Sequence, residues 1–270
     1  MSELKEGLVK HALSRIRDEK EGLKTEYSKL GDEVAKSIVI DDLLPTDLVS
    51  RCHEELESCD NWRNTRDHRE SKAVNQNIDQ VGVLSSSMLD LFHDPRVIKE
   101  IAEITAIDGL AADPSLYAGG ISKMVKGNFL NPHIDNSHNR DRKMYRRLNL
   151  LFYVTPGLTV DDGASLNLWD RKVQTSKEIS SSFNRLVVME TDKHTWHSVS
   201  PMKSDKSRYC VSNYYFSSAS ASGKDYYHVT SFAGRPEQPY IRLISAVDNL
   251  ARQTVAQLFG GRGARRTRQT

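Results

Sequence analysis

The sequence predicts a mainly β fold, a sandwich or barrel held on helical supports, and three observations lead there. Beyond residue 110 the chain breaks into short segments rich in Val, Leu, Ile, Tyr and Phe, separated by Gly, Asp, Ser or Pro turns. Both ends instead carry apolar residues at helical spacing. Between these regions, residues 60–80 are polar and follow neither period. No internal repeat is visible, and 270 residues are ample for one domain with a real core. The expected organisation is a helix over 1–36, a domain over 37–260 and a basic disordered tail over 261–270.

Each element has a local reason. Leu4, Leu8, Ala12, Leu13 and Ile16 recur on one helical face, with Lys, Arg and Glu on the others, so the first helix is expected to pack on the core. Gly31-Asp32 ends that pattern. Ser37-Ile38-Val39-Ile40 concentrates β-branched residues and reads as a strand. Pro45-Thr46-Asp47 has the composition of a helix start, which predicts a helix to about Ser58. Residues 60–80 read as loop, and short helices follow over 86–92 and 95–105. Strands are expected over 116–125, 146–154, 165–169, 186–190 and 208–216. A last helix over 240–259 places Ile241, Ile244, Val247, Leu250, Val255 and Leu258 on one face.

Charge and composition exclude several classes. Hydrophobic residues at 38% with 27% charged describe a soluble chain, neither disordered nor membrane-embedded. No run approaches the roughly 20 apolar residues of a membrane span. The start, Met1-Ser2-Glu3-Leu4-Lys5, is too charged for a secretory signal. Cys52, Cys59 and Cys210 offer neither a disulfide framework nor paired metal-ligand spacing, which favours a reducing, cytoplasmic setting. The net charge of +2 is misleading, because Arg262, Arg265, Arg266 and Arg268 sit in a last decapeptide that has no acid. Setting those four aside leaves 34 basic against 36 acidic residues, so a general polyanion-binding surface is not expected.

The chemistry concentrates in Asn131-Pro132-His133-Ile134-Asp135-Asn136. On extended backbone His133 and Asp135 face the same side. An imidazole and a carboxylate can share a divalent metal, and a second histidine would complete the 2-His-1-carboxylate facial triad of non-haem Fe(II) oxygenases. His197 is preferred for that place, because a small-Val-x-Pro run leads from it into a turn; His194 is the alternative. Further on, Arg208, Cys210, Ser212 and Tyr214 share one face of a strand. An arginine pointing into a β-sandwich requires an anionic partner, which a carboxylate would satisfy in bidentate fashion. If 201–207 forms a hairpin loop, the His197 and Arg208 strands are antiparallel neighbours. Arg208 then lies roughly 10 Å along the sheet from the metal ligand.

On these residues the chain resembles the Fe(II)- and 2-oxoglutarate-dependent dioxygenases, in their prolyl-4-hydroxylase-like branch, and most of all the bacterial relatives of the hypoxia-factor prolyl hydroxylases. The resemblance spans about 37–216. It covers 38–44, His133-Ile134-Asp135-Asn136, 147–154, Asp162-Gly163-Ala164-Ser165-Leu166, His197-Ser198-Val199-Ser200-Pro201 and 208–216. It implies a double-stranded β-helix (jelly roll) with N-terminal helices packed on one sheet and a C-terminal helix. It further implies Fe(II) on His133, Asp135 and His197, and 2-oxoglutarate held at its distal carboxylate by Arg208 and Tyr153, with Ser212 nearby. O2 is the oxidant and ascorbate the expected reductant.

Two positions depart from the family. The tyrosine usual about ten residues before the first ligand is replaced by the stretch Ser122-Lys123-Met124-Val125-Lys126, and the usual Gly-Gly is Gly163-Ala164. Halogenating relatives lack the carboxylate, so Asp135 implies hydroxylation of an aliphatic C–H bond, of a proline residue, an amino acid or another small metabolite. Nucleic-acid demethylating relatives carry a second arginine where this chain has Tyr214, so nucleic acid is not the expected partner. Arg140, Arg142 and His138, in the basic loop 139–147 and just before it, are the expected substrate contacts at the barrel mouth. The segment 226–232 is either a packed connector or a lid. A non-catalytic jelly-roll module that binds metal or ligand is the alternative, and the oligomeric state is left open.

Overall fold

The computed structural model describes residues 2–75, 81–113, 115–117 and 119–265, and helices and strands segregate in it as the periodicities require. Four helices, α1 (Ser2–Lys29), α2 (Thr46–Glu57), α3 (Val83–Leu91) and α4 (Pro95–Thr105), form one layer. Leu8, Val9, Ala12, Leu13 and Ile16 of α1 are all buried, as their spacing requires. Glu100 of α4 is the charged exception in this layer. Its carboxylate receives Arg17 Nε at 2.6 Å and Lys20 Nζ at 2.8 Å, which answers the charge that burial would otherwise penalise.

Capping sets the helix ends. Asp94 accepts from the Arg96 amide ahead of Pro95, and α4 ends at Ala106 in the left-handed region (φ 53°). Gly82 before α3 has no side chain to cap with. Glu55 of α2 does this instead, accepting from the amides of Leu84 at 3.1 Å and Ser85 at 2.8 Å.

The strands are β1 (Ser37–Ile40), β2 (Arg63–Arg66), β3 (Glu70–Asn75), β4 (Ala111–Ala112), β5 (Gly120–Met124), β6 (Phe129–Ile134) and β7 (Tyr145–Tyr153). They continue as β8 (Leu166–Trp169), β9 (Ser176–Ile179), β10 (Arg185–Glu190), β11 (His197–Val199), β12 (Arg208–Ser217) and β13 (Ser231–Phe232). Their order is β1-β10-β7-β12-β5-β3-β6-β11-β8-β9, with β2 on β3, β4 on β12 and β13 on β6. This antiparallel sheet curls into the jelly roll. Along β7, Leu148, Leu150 and Phe152 join the helix-side core, while Asn149 and Leu151 face the interior cavity. Each fully buried apolar side chain of this kind contributes roughly 1.5–3 kcal/mol, so β7 anchors sheet to helices. No described helix is long and apolar enough to cross a membrane.

Two expectations are corrected. The stretch 60–80 is not all loop, because β2 and β3 lie in it; residues 76–80 are outside the described ones. The cavity face of β3 carries Glu70, Lys72 and Val74 and its buried face Ser71, Ala73 and Asn75, so no sustained apolar alternation announces it. The hairpin does not form either. β11 pairs with β6 and β8, and β12 with β7, β5 and β4. In a jelly roll the 201–207 link carries the chain from one half of the sheet to the other. The last helix, expected over 240–259, is α5 (Pro239–Arg265). Residues 266–270 are outside the described ones.

Candidate metal and co-substrate site

The pairing of β6 with β11 sets His133 directly opposite His197, with ring centroids 4.0 Å apart. Asp135 follows one residue after the end of β6. Its carboxylate lies 3.7 Å from each Nε2, through Oδ1 to His133 and Oδ2 to His197. The three donor atoms fall within 4.8 Å of one another, and no other group of three His, Cys, Asp or Glu converges so among the described residues. Each imidazole is held from behind: Nδ1 of His133 meets the carbonyl of Asn131 at 3.0 Å, and Nδ1 of His197 that of Thr195 at 3.1 Å. Donation through Nδ1–H leaves both Nε2 lone pairs turned toward Asp135, the orientation in which imidazoles ligate metal.

Electrostatics point the same way. Burial, reinforced by the facing His197, pushes His133 down to about 3, so it is a neutral donor at physiological pH. Burial would raise Asp135, but Arg146 and the two histidines hold its carboxyl below the usual carboxylate range. Arg146 Nη1 stands 3.2 Å from Asp135 Oδ2. Two imidazole nitrogens and one ionised carboxylate, converging and buried, fit a divalent transition metal.

The triad opens into a cavity of about 410 Å³ whose lining includes Met124, Arg146, Arg208, Ser212, Tyr214 and Phe232. Arg208 is buried. Its Nε donates to Ser181 Oγ at 3.3 Å, its Nη1 meets Met124 Sδ at 3.8 Å, and the guanidinium sits 4.8 Å from the Tyr153 ring centre. No carboxylate of the described residues pairs with it. A buried guanidinium without an anion is costly by several kcal/mol, and an anionic ligand would remove that cost. Burial pushes the neighbouring Tyr153 phenol up to about 12, so it is a proton donor facing the same charge. Ser122 and Met124 line the cavity in the stretch where the family tyrosine is missing.

Other expected contacts lie elsewhere. Arg140 and Arg142 are exposed and His194 is exposed; none of them lines this cavity. His138 is buried against Tyr145, with Nδ1 2.7 Å from Ser137 Oγ. From 226–232, Thr230 and Phe232 do reach the cavity, and Phe232 stacks on His133 at 5.5 Å. Sequence reasoning missed Arg146, Asn149 and, from β2 and β3, Arg63 and Lys72. Only Arg146 left a trace, as one cation among five in the 139–147 loop.

Comparison with known proteins agrees with this geometry. Residues 119–216, which include the whole triad and Arg208, match the family model described as "2OG-Fe(II) oxygenase superfamily". A prolyl-4-hydroxylase from Pseudomonas putida superposes with TM-score 0.54 at 14% identity, over 73% of this chain and 98% of that one. A prolyl hydroxylase from Trichoplax adhaerens, in complex with a hypoxia-inducible-factor peptide fragment, gives 0.53 at 16% identity over 76% and 91%. HygX from Streptomyces hygroscopicus, with nickel, 2-oxoglutarate and hygromycin B bound, gives 0.50 at 13% identity over 73% and 93%. No curated protein matches the sequence significantly. At these identities the structural likeness concerns the fold.

Proposed function

We propose that this chain, whose residues 119–216 match the model described as "2OG-Fe(II) oxygenase superfamily", is such an oxygenase and couples decarboxylation of 2-oxoglutarate to hydroxylation of an aliphatic C–H bond. One observation carries the reading: a convergent His133–Asp135–His197 donor set shares its cavity with a buried Arg208 that no carboxylate answers. Bound iron would supply the activation of O2, with succinate and CO2 as co-products. The residues do the rest. Arg208 takes the distal carboxylate of 2-oxoglutarate, Tyr153 donates its phenolic proton to the same group, and Ser212 lies beside it. Met124, Leu151, Leu166 and Val199 exclude water from the carbon chain between. Arg146 keeps the Asp135 carboxylate ionised and turned toward the histidines.

The proposed substrates are a proline residue, an amino acid or another small metabolite. Similar folds hold a peptide in one protein and hygromycin B in another, so the likeness does not choose between them. Arg140, Arg142 and His138 remain candidates only for an approaching substrate, since none of them lines the cavity.

The test supplies Fe(II), ascorbate and 2-oxoglutarate and measures succinate and bound metal. Succinate should form, and His133→Ala and Asp135→Ala should abolish it together with metal retention. A fully active Asp135→Ala would overturn the site. Tight iron binding without succinate would instead favour a non-catalytic metal-binding module.

A further inference from the structure

The polarity of α5 is inverted. The side turned to the body of the protein is polar. Ser245 is buried there, and Arg242 donates to the carbonyls of Lys172 at 2.9 Å and Val173 at 3.1 Å. Asp248 pairs with Arg69 at 3.1 Å, and Asn249 brackets Phe232, accepting from its amide at 3.0 Å and donating to its carbonyl at 2.7 Å. The side turned away is apolar: Tyr240, Leu243, Ile244, Val247 and Leu250 are between 50% and 82% exposed. Ala246, Ala251 and Thr254 fill the gaps, and none of these exposed positions carries a charge. Single exposed apolar residues are ordinary, but a contiguous stripe three turns long marks a contact surface.

We infer that this stripe is where α5 of a second copy of the chain docks, antiparallel to the first. Residues 240, 243, 247, 250 and 254 alternate steps of three and four, the spacing of a helix-pair seam. The area suffices: the five large side chains offer on the order of 700 Å² per copy, so roughly 1,400 Å² for the pair, within the range of specific interfaces. Charge sets the direction. The stretch 261–270 carries Arg262, Arg265, Arg266 and Arg268 and no acid, so a parallel pair would bring two basic segments together. Antiparallel packing about Val247 holds the two Arg265 ends of α5 on opposite sides of the axis, roughly 50 Å apart at 1.5 Å per residue. With Val247 on the two-fold axis, Tyr240 of one copy lies level with Thr254 of the other, and Leu243 and Ile244 with Ala251 and Leu250. The arrangement is isologous and closes at two copies. It also reaches the cavity, because Asn249 holds Phe232, whose ring stacks on His133.

Sedimentation velocity of the full chain over a micromolar range tests this. Mass should rise reversibly to twice that of the chain, and Val247→Glu should remain monomeric, melting like the wild type at concentrations where the wild type is itself monomeric, since the position is exposed. Val247→Cys should cross-link to a covalent dimer under mild oxidation, whereas Glu237→Cys should not. A chain that stays monomeric at every concentration would overturn the proposal. So would a dimer that survives Val247→Glu, or a monomer captured through α5 by phosphatidylserine vesicles.

Discussion

Arg146 and Asp135 form a buried ion pair, Nη1 to Oδ2 at 3.2 Å, and the same guanidinium lies 3.9 Å from the centre of the Tyr214 ring. One arginine therefore answers the charge of the carboxylate that completes the donor triad. Its Nε and Nη2 are buried without hydrogen-bond partners among the described residues, so Arg146 is held by charge and stacking more than by donor geometry.

Arg146→Met should separate these roles. Removing one partner of a buried pair costs about 3–5 kcal/mol, because the other charge stays behind. The metal-free variant should melt well below the wild type. Mn(II) should then raise its melting temperature by more than it raises that of the wild type, since the ion supplies the missing positive charge. Equal Mn(II)-induced shifts in the two proteins would show that Asp135 does not depend on Arg146.

Arg208→Met should move two quantities in opposite senses. A charge-assisted bidentate pair is worth about 2–3 kcal/mol, so KM for 2-oxoglutarate should rise about 30- to 150-fold. The ligand-free protein should melt higher than the wild type, because a buried unpaired cation is gone. Unchanged KM, or a variant that melts lower, would contradict the assignment.

Glu55 should behave as the N-cap that Gly82 cannot provide. Glu55→Ala leaves the amides of Leu84 and Ser85 without an acceptor and should cost about 1–2 kcal/mol in urea unfolding. The exposed neighbour Glu54 offers a control, with Glu54→Ala expected to be near neutral. Equal effects at both positions would rule out capping as the cause.

Glu100 should tie stability to acid pH. Burial opposes its ionisation, but Lys20 and Arg17 outweigh this and hold its pKa below the ordinary 4.5. A depressed carboxyl pKa stabilises the fold above the unfolded value, and that contribution is lost as pH falls through the folded one. Glu100→Gln should therefore be less stable than the wild type near neutrality, with the gap closing below about pH 4.5. A gap that stays constant with pH would assign the loss to packing instead.

Much of this could be read along the chain because the signals are local. β1 and α4 occupy the expected residues, 37–40 and 95–105. β-branched clustering and an Asp-Pro cap act within a few residues of themselves. His133 and Asp135 were paired by a spacing of two on extended backbone, and Arg208 stood out as a cation at the head of an apolar strand. β2 and β3 were illegible for the converse reason. A strand that turns Glu70 and Lys72 to a cavity and buries small or polar residues has no hydrophobic period to detect.

The sequence by itself determined the helical supports, the run of β segments and the donor types and spacing at His133, Asp135, His197 and Arg208, because each depends on neighbours within a turn or a strand. Tertiary structure alone decided which strands meet. It put His197 opposite His133 rather than beside Arg208, and it chose Arg146 over Arg140 and Arg142 as the cation of the site. In β7, simple alternation from Asn149 and Leu151 would turn Arg147 to the cavity and Arg146 to the helices. The register slips by one residue at this point, with Tyr215 opposite Leu148 but Phe216 opposite Arg146. That bulge reverses the parity and swings Arg146 inward to Asp135. A bulge belongs to the pairing of two strands about seventy residues apart, and no window of one strand contains it.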